Sequence, residues 1–153
     1  MRIVILAAAL FAGCAPRPVE PPKPDPVNQA WYGAATDQLK AWNREAENLI
    51  RSGKPMEAAE IINKGQPLMS RLLSVPRPTL AAMEAVSDLD HLYARMLLGN
   101  RHYGWARLLF QKNVARWTVW RPQTEDTARR RKLAESGVAE CDRGLAGGGA
   151  SSK

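Results

Sequence analysis

Apolar side chains recur with the period of an α-helix along most of this chain, and this periodicity constrains the fold more than any other feature. In the first such segment, residues 28–52, the apolar side chains project within an arc of about 100° on a helical wheel. They are Trp31, Ala35, Leu39, Trp42, Ala46, Leu49 and Ile50. No segment alternates apolar and polar residues in the way that is typical of a half-buried strand. The sequence therefore predicts an all-α fold.

Residues that begin or end helices divide the pattern into about five segments. Glycine suits the left-handed end of a helix, proline suits its first turn or its end, and threonine suits its N-cap. Such residues separate the segments at Gly53, Pro55, Thr79, Gly99, Pro122 and Thr124. Within the second segment, Gly65 and Pro67 predict a kink or a break. We expect about five helices in antiparallel hairpins over residues 28–146.

Part of the pattern repeats after 48 residues. Three pairs are identical at this offset: Ala46 and Ala94, Leu49 and Leu97, and Ala58 and Ala106. Both copies resemble the central turn of a tetratricopeptide hairpin, the first through Gly53, Glu57 and Ala58 and the second through Tyr103, Ala106 and Phe110. The resemblance implies helices that interlock with their neighbours. The family repeats every 34 residues and opens with a Trp-x-x-Leu-Gly motif that is absent here, so a simple bundle of five helices is the alternative.

The first fourteen residues do not continue the helical pattern. After Arg2, the apolar residues 3–12 would form a helix of about 15 Å, too short for about 30 Å of hydrocarbon. The sequence Leu10-Phe11-Ala12-Gly13-Cys14 resembles the lipobox of bacterial lipoproteins. That resemblance implies that residues 1–13 are a cleaved signal peptide and that Cys14 is acylated. An ordinary secretory signal, with Cys14 incidental, is the alternative.

A proline-rich linker is expected over residues 14–27. Six prolines occur between Ala15 and Val27, which favours an extended polyproline II spacer of roughly 40 Å. The helical domain follows, and residues 147–153, mostly Gly and Ser, are expected to form a disordered tail. By the lipobox resemblance, the protein is exported and anchored to the cell envelope. Ala15 after the cysteine favours the periplasmic face of the outer membrane over the inner membrane.

The net charge of +7 is concentrated in the second half of the chain. From residue 91 onwards there are twelve Lys and Arg against five Asp and Glu, which points to anionic partners. Nucleic acid is not expected among them, because no recognised binding motif is present. The densest run, Arg129-Arg-Arg-Lys132, is expected to be solvated surface. No His, Cys and carboxylate cluster has metal-ligand spacing, so we expect no metal and no cofactor.

The fourth segment, residues 101–120, presents two different faces. We assign Tyr103, Ala106, Phe110, Val114 and Trp117 to the core. The opposite face mixes cations with apolar side chains: Arg101, Trp105, Leu108, Lys112, Arg116 and Val119. Its candidate partner-binding residues are Arg101, Trp105, Lys112 and Arg116, which suit an acidic peptide or anionic lipid headgroups. The alternative is that a neighbouring helix covers Trp105 and Leu108.

Two classes of function fit these observations. The first is a non-enzymatic, membrane-anchored lipoprotein that binds a protein or peptide, or acts as an accessory subunit. The second is a small envelope hydrolase, or a modulator of an enzyme that acts on wall or lipid polymers. It would need two carboxylates, or a nucleophile and a base, in one pocket. We expect no catalytic residue, and we expect the pair of Asp88 and His91 to be structural. A basic spacer without a specific partner is a third reading.

Overall fold

The computed structural model describes residues 25–149, and all regular structure in that part of the chain is helical. A short 3-10 turn, Pro26–Asn28, leads into five α-helices. They are Ala30–Arg51 (α1), Pro55–Leu73 (α2), Leu80–Gly99 (α3), Tyr103–Val119 (α4) and Glu125–Gly149 (α5). The predicted all-α fold of about five helices is confirmed. The signal peptide, Cys14 and most of the proline-rich linker fall in residues 1–24, outside the described part, as does the end of the predicted tail.

The helices are arranged as stacked hairpins. Three-residue turns join α1 to α2 and α3 to α4, so each pair runs antiparallel. Both α1 and α2 pack against α3, and α5 packs mainly on α4. One buried apolar cluster joins α1 and α2 to the first half of α3. A second joins the end of α3 to α4 and α5.

The turns of the two hairpins have the same backbone geometry. Gly53 and Arg101 both adopt left-handed conformations, with φ angles of 72° and 60°. The amide that follows donates in each case to a carbonyl of the preceding helix, Lys54 to Leu49 at 2.9 Å and His102 to Leu97 at 2.8 Å. The alanines on both sides of the turns are fully buried: Ala46, Ala58, Ala94 and Ala106. The repeat in the sequence is therefore also a repeat in the backbone.

Helix α2 continues through Gly65 and Pro67, so of the two predicted alternatives, a kink or a break, the break is wrong. A Cβ atom at Gly65 would lie 3.0 Å from Leu89 and 3.2 Å from Leu39. Gly65 is therefore required by close packing against α1 and α3. Pro67 is exposed, as is Asn63, whose carbonyl loses a helical hydrogen-bond donor. Water can satisfy that carbonyl, which lets the helix continue.

Local capping interactions define the helix ends. The Thr79 hydroxyl accepts a hydrogen bond from the Ala82 amide at 3.3 Å, and the Thr124 hydroxyl accepts one from the Thr127 amide at 3.2 Å. Both predicted caps are confirmed. Helix α5 extends to Gly149, past the position where the tail was predicted to begin. None of the helices in residues 25–149 is long and apolar enough to cross a membrane.

Candidate functional site

Helix α4 buries one face against α3 and α5. Ala106, Phe110 and Trp117 are each 0% exposed, as their periodicity predicts, and Tyr103 and Val114 are half-buried. The Phe110 ring occupies the space beside Gly137 of α5, where a Cβ atom would approach the ring to 2.6 Å. This face of α4 is therefore fixed by the core of the second hairpin.

The opposite face of α4 is open to solvent. Trp105 is 69% exposed, Leu108 is 55% exposed and Val119 is 73% exposed. No helix of residues 25–149 covers them, so the alternative in which a neighbouring helix packs on Trp105 and Leu108 is wrong. An exposed tryptophan beside an exposed leucine is unusual on a small domain and marks a candidate interaction surface.

Trp105 and Leu108 form part of a groove of about 570 Å³ between α3 and α4. We call it the Trp105 groove. Its walls are mostly apolar, and among the described residues no carboxylate lines it. The lining residues are Tyr93 and Leu97 from α3, His102 from the turn, and Trp105, Leu108, Leu109 and Lys112 from α4. Two of the four predicted partner-binding residues, Trp105 and Lys112, therefore lie in one groove.

Arg116 is buried, contrary to the prediction that it shares the exposed face. Its side chain is 6% exposed, and its Nη2 donates to the Asp90 carboxylate of α3 at 2.9 Å. Lys112 also approaches Asp90, at 3.2 Å, but its side chain stays 44% exposed. The Asp90 side chain is only 2% exposed, and a buried carboxylate is costly unless a cation pairs with it. Arg116 provides that cation. Arg116 therefore neutralises Asp90 between α3 and α4 and does not belong to the candidate site.

Arg101 lies in the turn immediately before His102 and is exposed. It is the single non-glycine residue with a positive φ among residues 25–149, and the equivalent position in the first hairpin is Gly53. A left-handed conformation costs an L-residue roughly 1–2 kcal/mol. An arginine is thus held at a backbone position that favours glycine, next to the end of the Trp105 groove.

We expect Arg101→Gly to raise the free energy of unfolding by about 1 kcal/mol, because it removes this backbone strain. The greater freedom of glycine in the unfolded chain offsets part of the gain. Urea denaturation measures the change. Gly53→Ala is the matched control. It should lower the free energy of unfolding by a similar amount, because alanine is strained at the left-handed φ of 72°. The added Cβ meets no other atom within 4 Å, so no steric clash adds to this loss. A loss of stability in Arg101→Gly would show that the arginine side chain contributes to folding.

The first hairpin carries acidic residues where the second carries the apolar groove. At the offset of 48, three exposed glutamates correspond to the large side chains of the groove: Glu45 to Tyr93, Glu57 to Trp105 and Glu60 to Leu108. A depression beside these positions is lined by α1 and the turn, mainly by polar and charged residues; it shares Glu45, Leu49 and Lys54 with the set that corresponds to the groove. The hairpin fold therefore does not itself require apolar side chains at these positions.

A second depression, which the sequence did not predict, lies where α1, α3 and α5 face each other. Its volume is about 470 Å³. Its charged lining residues are Lys40, Arg44, Glu47, Glu84, Asp88, Arg129 and Arg130. In the sequence, each resembles an ordinary surface charge on its own helix. Only the packing of three helices brings them together, so no local signal could have revealed this depression.

His91 also lines this depression. Burial disfavours the charged imidazole and lowers its pKa from the ordinary value, and the positive charge of Arg95 lowers it further. The nearby carboxylates of Asp88 and Glu47 act in the opposite direction and are outweighed. The His91 ring packs edge-on against Phe110, with centroids 5.5 Å apart. In the described part of the chain, no hydrogen bond joins His91 to Asp88.

The basic run at residues 129–132 is largely paired within the protein, so its prediction as solvated surface is wrong in part. Arg130 is 17% exposed at the side chain and bonds to both Asp88 and Asp126. Its guanidinium lowers the pKa of the Asp126 carboxyl, with a further contribution from Arg129. Cys141 is fully buried, and burial raises the pKa of its thiol. Within residues 25–149, no three His, Cys, Asp or Glu side chains are placed to hold a metal ion.

No protein-family model matches this chain, and no curated protein or solved structure is significantly similar to it. Its function is therefore inferred from the sequence, from the Trp105 groove and from the depression between α1, α3 and α5.

Proposed function

We propose that this protein is a lipid-anchored envelope protein whose tetratricopeptide-like hairpins bind a protein partner, and that it is not an enzyme. The partner would bind in the Trp105 groove. The observation that carries the proposal is the placement of Tyr93, Trp105 and Leu108 at positions where the first hairpin has exposed glutamates. Buried Trp side chains contribute strongly to interfaces, and a groove lets a partner desolvate one fully.

The anchor part of the proposal depends on the sequence alone. Cys14 and the proline-rich residues after it would place the helical domain up to roughly 40 Å from the bilayer surface. This distance suits a module that reaches a partner within the envelope. It also explains how a chain whose described helices cannot span a bilayer would remain at a membrane.

We expect Cys14→Ser to release the protein from the membrane fraction or to leave it as an uncleaved precursor, because acyl chains supply the membrane affinity. Cell fractionation with intact-mass measurement tests this. The wild-type mass should correspond to a chain that begins at Cys14 and carries acyl groups. An unmodified mature chain that begins elsewhere would refute the lipobox reading and would leave partner binding untouched.

The Trp105 groove can be tested in intact cells with a photoreactive amino acid at position 108. We expect specific adducts with a partner protein, and we expect Trp105→Ala to abolish them because the indole anchors the contact. The thermal midpoint of Trp105→Ala should stay nearly unchanged, since substitutions at exposed positions usually change stability by less than about 0.5 kcal/mol. Analysis of the adducts by mass spectrometry identifies the partner.

The matched control is the same photoreactive residue at Met56. Met56 is 77% exposed and lies on α2, away from the groove. Equal adducts from both positions would indicate nonspecific proximity. Adducts at position 108 that survive Trp105→Ala would contradict the proposed site.

The second candidate function, a small hydrolase, would use the depression between α1, α3 and α5, where three carboxylates meet. Asp88 is bonded to Arg130 and Glu47 to Arg51, which leaves Glu84 without an ion pair among the described residues. The hydrolase would need a second unpaired carboxylate, or a nucleophile beside a base, and no Ser, Thr or Cys is among the residues that line this depression with His91. The Trp105 groove therefore supports the better proposal. Hydrolysis of wall or lipid polymers by the purified protein, lost in Glu84→Gln, would establish the hydrolase instead.

A further inference from the structure

We propose that the Trp105 groove receives an amphipathic α-helix of the partner, with an apolar ridge that enters the groove and with Asp or Glu residues beside that ridge. This inference depends on the proposed function and names the chemistry of the partner. It follows from the shape of the groove, the charges around it and the contrast between the two hairpins.

The shape of the groove favours a helix over a flat bilayer surface. One wall is formed by Trp105 and Leu108 of α4, and the other by Tyr93 and Leu97 of the antiparallel helix α3. From Trp105 to Lys112 the groove follows about two turns of α4, or roughly 10 Å at 1.5 Å per residue. A helix that enters such a groove uses side chains spaced three, four and seven residues apart. A bilayer presents no ridge that would fill the space between two helices.

The charges of the groove favour a partner with acidic residues. The buried carboxylate of Asp90 already bonds to Arg116 at 2.9 Å. Lys112 approaches the same carboxylate at 3.2 Å, so two cations share one anion and a positive charge is left over. Lys112 carries this charge to the surface, because its side chain is 44% exposed. Arg101 adds a second exposed cation at the turn. A carboxylate of the partner beside Lys112 would neutralise the excess.

The equivalent positions of the first hairpin provide the internal comparison. Lys64 occupies the position that corresponds to Lys112, but its ammonium lies 4.9 Å from the centre of the Trp42 ring instead of beside a buried carboxylate. Glu57 and Glu60 replace the apolar side chains there. The first hairpin therefore offers no apolar groove for the ridge of a partner helix, whereas the second offers both the groove and the exposed charge of Lys112. The two hairpins therefore predict a single binding position for such a partner.

The first experiment uses a displayed library of amphipathic helices and the full-length Cys14→Ser protein as bait. The library fixes leucines three, four and seven residues apart and varies the flanking positions among Glu, Gln, Ser and Lys. We expect the wild-type groove to enrich Glu over Lys at these positions relative to selection with a bait that also carries Trp105→Ala. Enrichment without a preference for Glu, or no enrichment that depends on Trp105, would overturn the inference.

The second experiment measures the coupling between Lys112 and the acidic residues of an enriched peptide. Lys112→Gln should weaken binding about three- to fivefold, as expected for one partly exposed ion pair. The same substitution should have no effect on a peptide whose Glu residues are replaced by Gln. Lys64→Gln is the control, with the same loss of charge in the other hairpin. Equal effects of the two substitutions would overturn the inference.

The outcomes also separate this inference from the proposed function. If adducts at position 108 depend on Trp105 but the library shows no preference for acidic helices, the groove binds a partner of different chemistry and only the inference fails. Without such adducts, the proposed function fails. Sedimentation that shows self-association lost in Trp105→Ala would identify a second copy of this chain as the occupant and would overturn the inference.

Discussion

Phe110→Ala is expected to lower the free energy of unfolding by about 3–5 kcal/mol, which is a large part of the stability of a domain this size. The Phe110 side chain is 0% exposed and fills the space between α3, α4 and α5. Its removal leaves a cavity beside His91 and Gly137, and the backbone of packed helices relaxes only partly. Urea denaturation followed by far-ultraviolet circular dichroism measures the loss.

Leu108→Ala is the matched control, because Leu108 lies on the same helix and is 55% exposed. It should change the free energy of unfolding by less than about 0.5 kcal/mol. A similar loss from both substitutions would mean that the exposed face of α4 is buried in solution.

Trp42→Ala should lower the free energy of unfolding less than Phe110→Ala, although the helical periodicity of the sequence assigns both side chains to buried faces. The Trp42 ring is only half-buried.

Features determined by neighbouring residues could be predicted from the sequence. The caps at Thr79 and Thr124 and the left-handed turn at Gly53 depend on residues within a few positions, so a local pattern is sufficient. Of the kink or break predicted at Gly65, the break was wrong, because distant residues determine the structure at this position. The residues that require a glycine there are Leu39 and Leu89, each 24 or more positions away. The local pattern shows the glycine but not the packing that requires it.

The candidate site shows the same division between local pattern and tertiary contact. A helical wheel separates Trp105 from the core face of α4, and the structure confirms that Trp105 is exposed. The wheel also groups Arg116 with Trp105, but it cannot show that the carboxylate of Asp90 on α3 lies within reach. Periodicity gives the direction of a side chain. The partner it meets depends on how the helices pack.

The depression between α1, α3 and α5 could not be predicted for a related reason. Its lining side chains, such as Lys40, Glu84 and Arg129, come from three helices that are far apart in the sequence. Asp88 and His91 could be identified as neighbours on one helix. That they face cations from α1 and α5 follows only from the way the hairpins stack.

Asp90→Ala is the second substitution with a large expected effect, about 3–5 kcal/mol of destabilisation. Asp90 is 1% exposed and neutralises Arg116, which is also buried. Without the carboxylate, Arg116 would be a buried charge whose remaining side-chain partner is the Asn113 amide oxygen. That oxygen is neutral and cannot balance the charge. Thermal and urea denaturation of the purified variant measure the loss.

The double variant Asp90→Leu, Arg116→Met separates the effect of an unbalanced charge from the value of the ion pair itself. Apolar side chains of similar size often replace a buried ion pair with little loss of stability, because they avoid the cost of desolvating two charges. We expect the double variant to recover most of the stability that Asp90→Ala loses. Lys112 would then lose its buried partner but could extend into solvent, since it is already partly exposed.

If the double variant is as unstable as Asp90→Ala, the ion pair itself holds α3 against α4. The Trp105 groove would then depend on this pair for its shape, because its two walls are these same two helices.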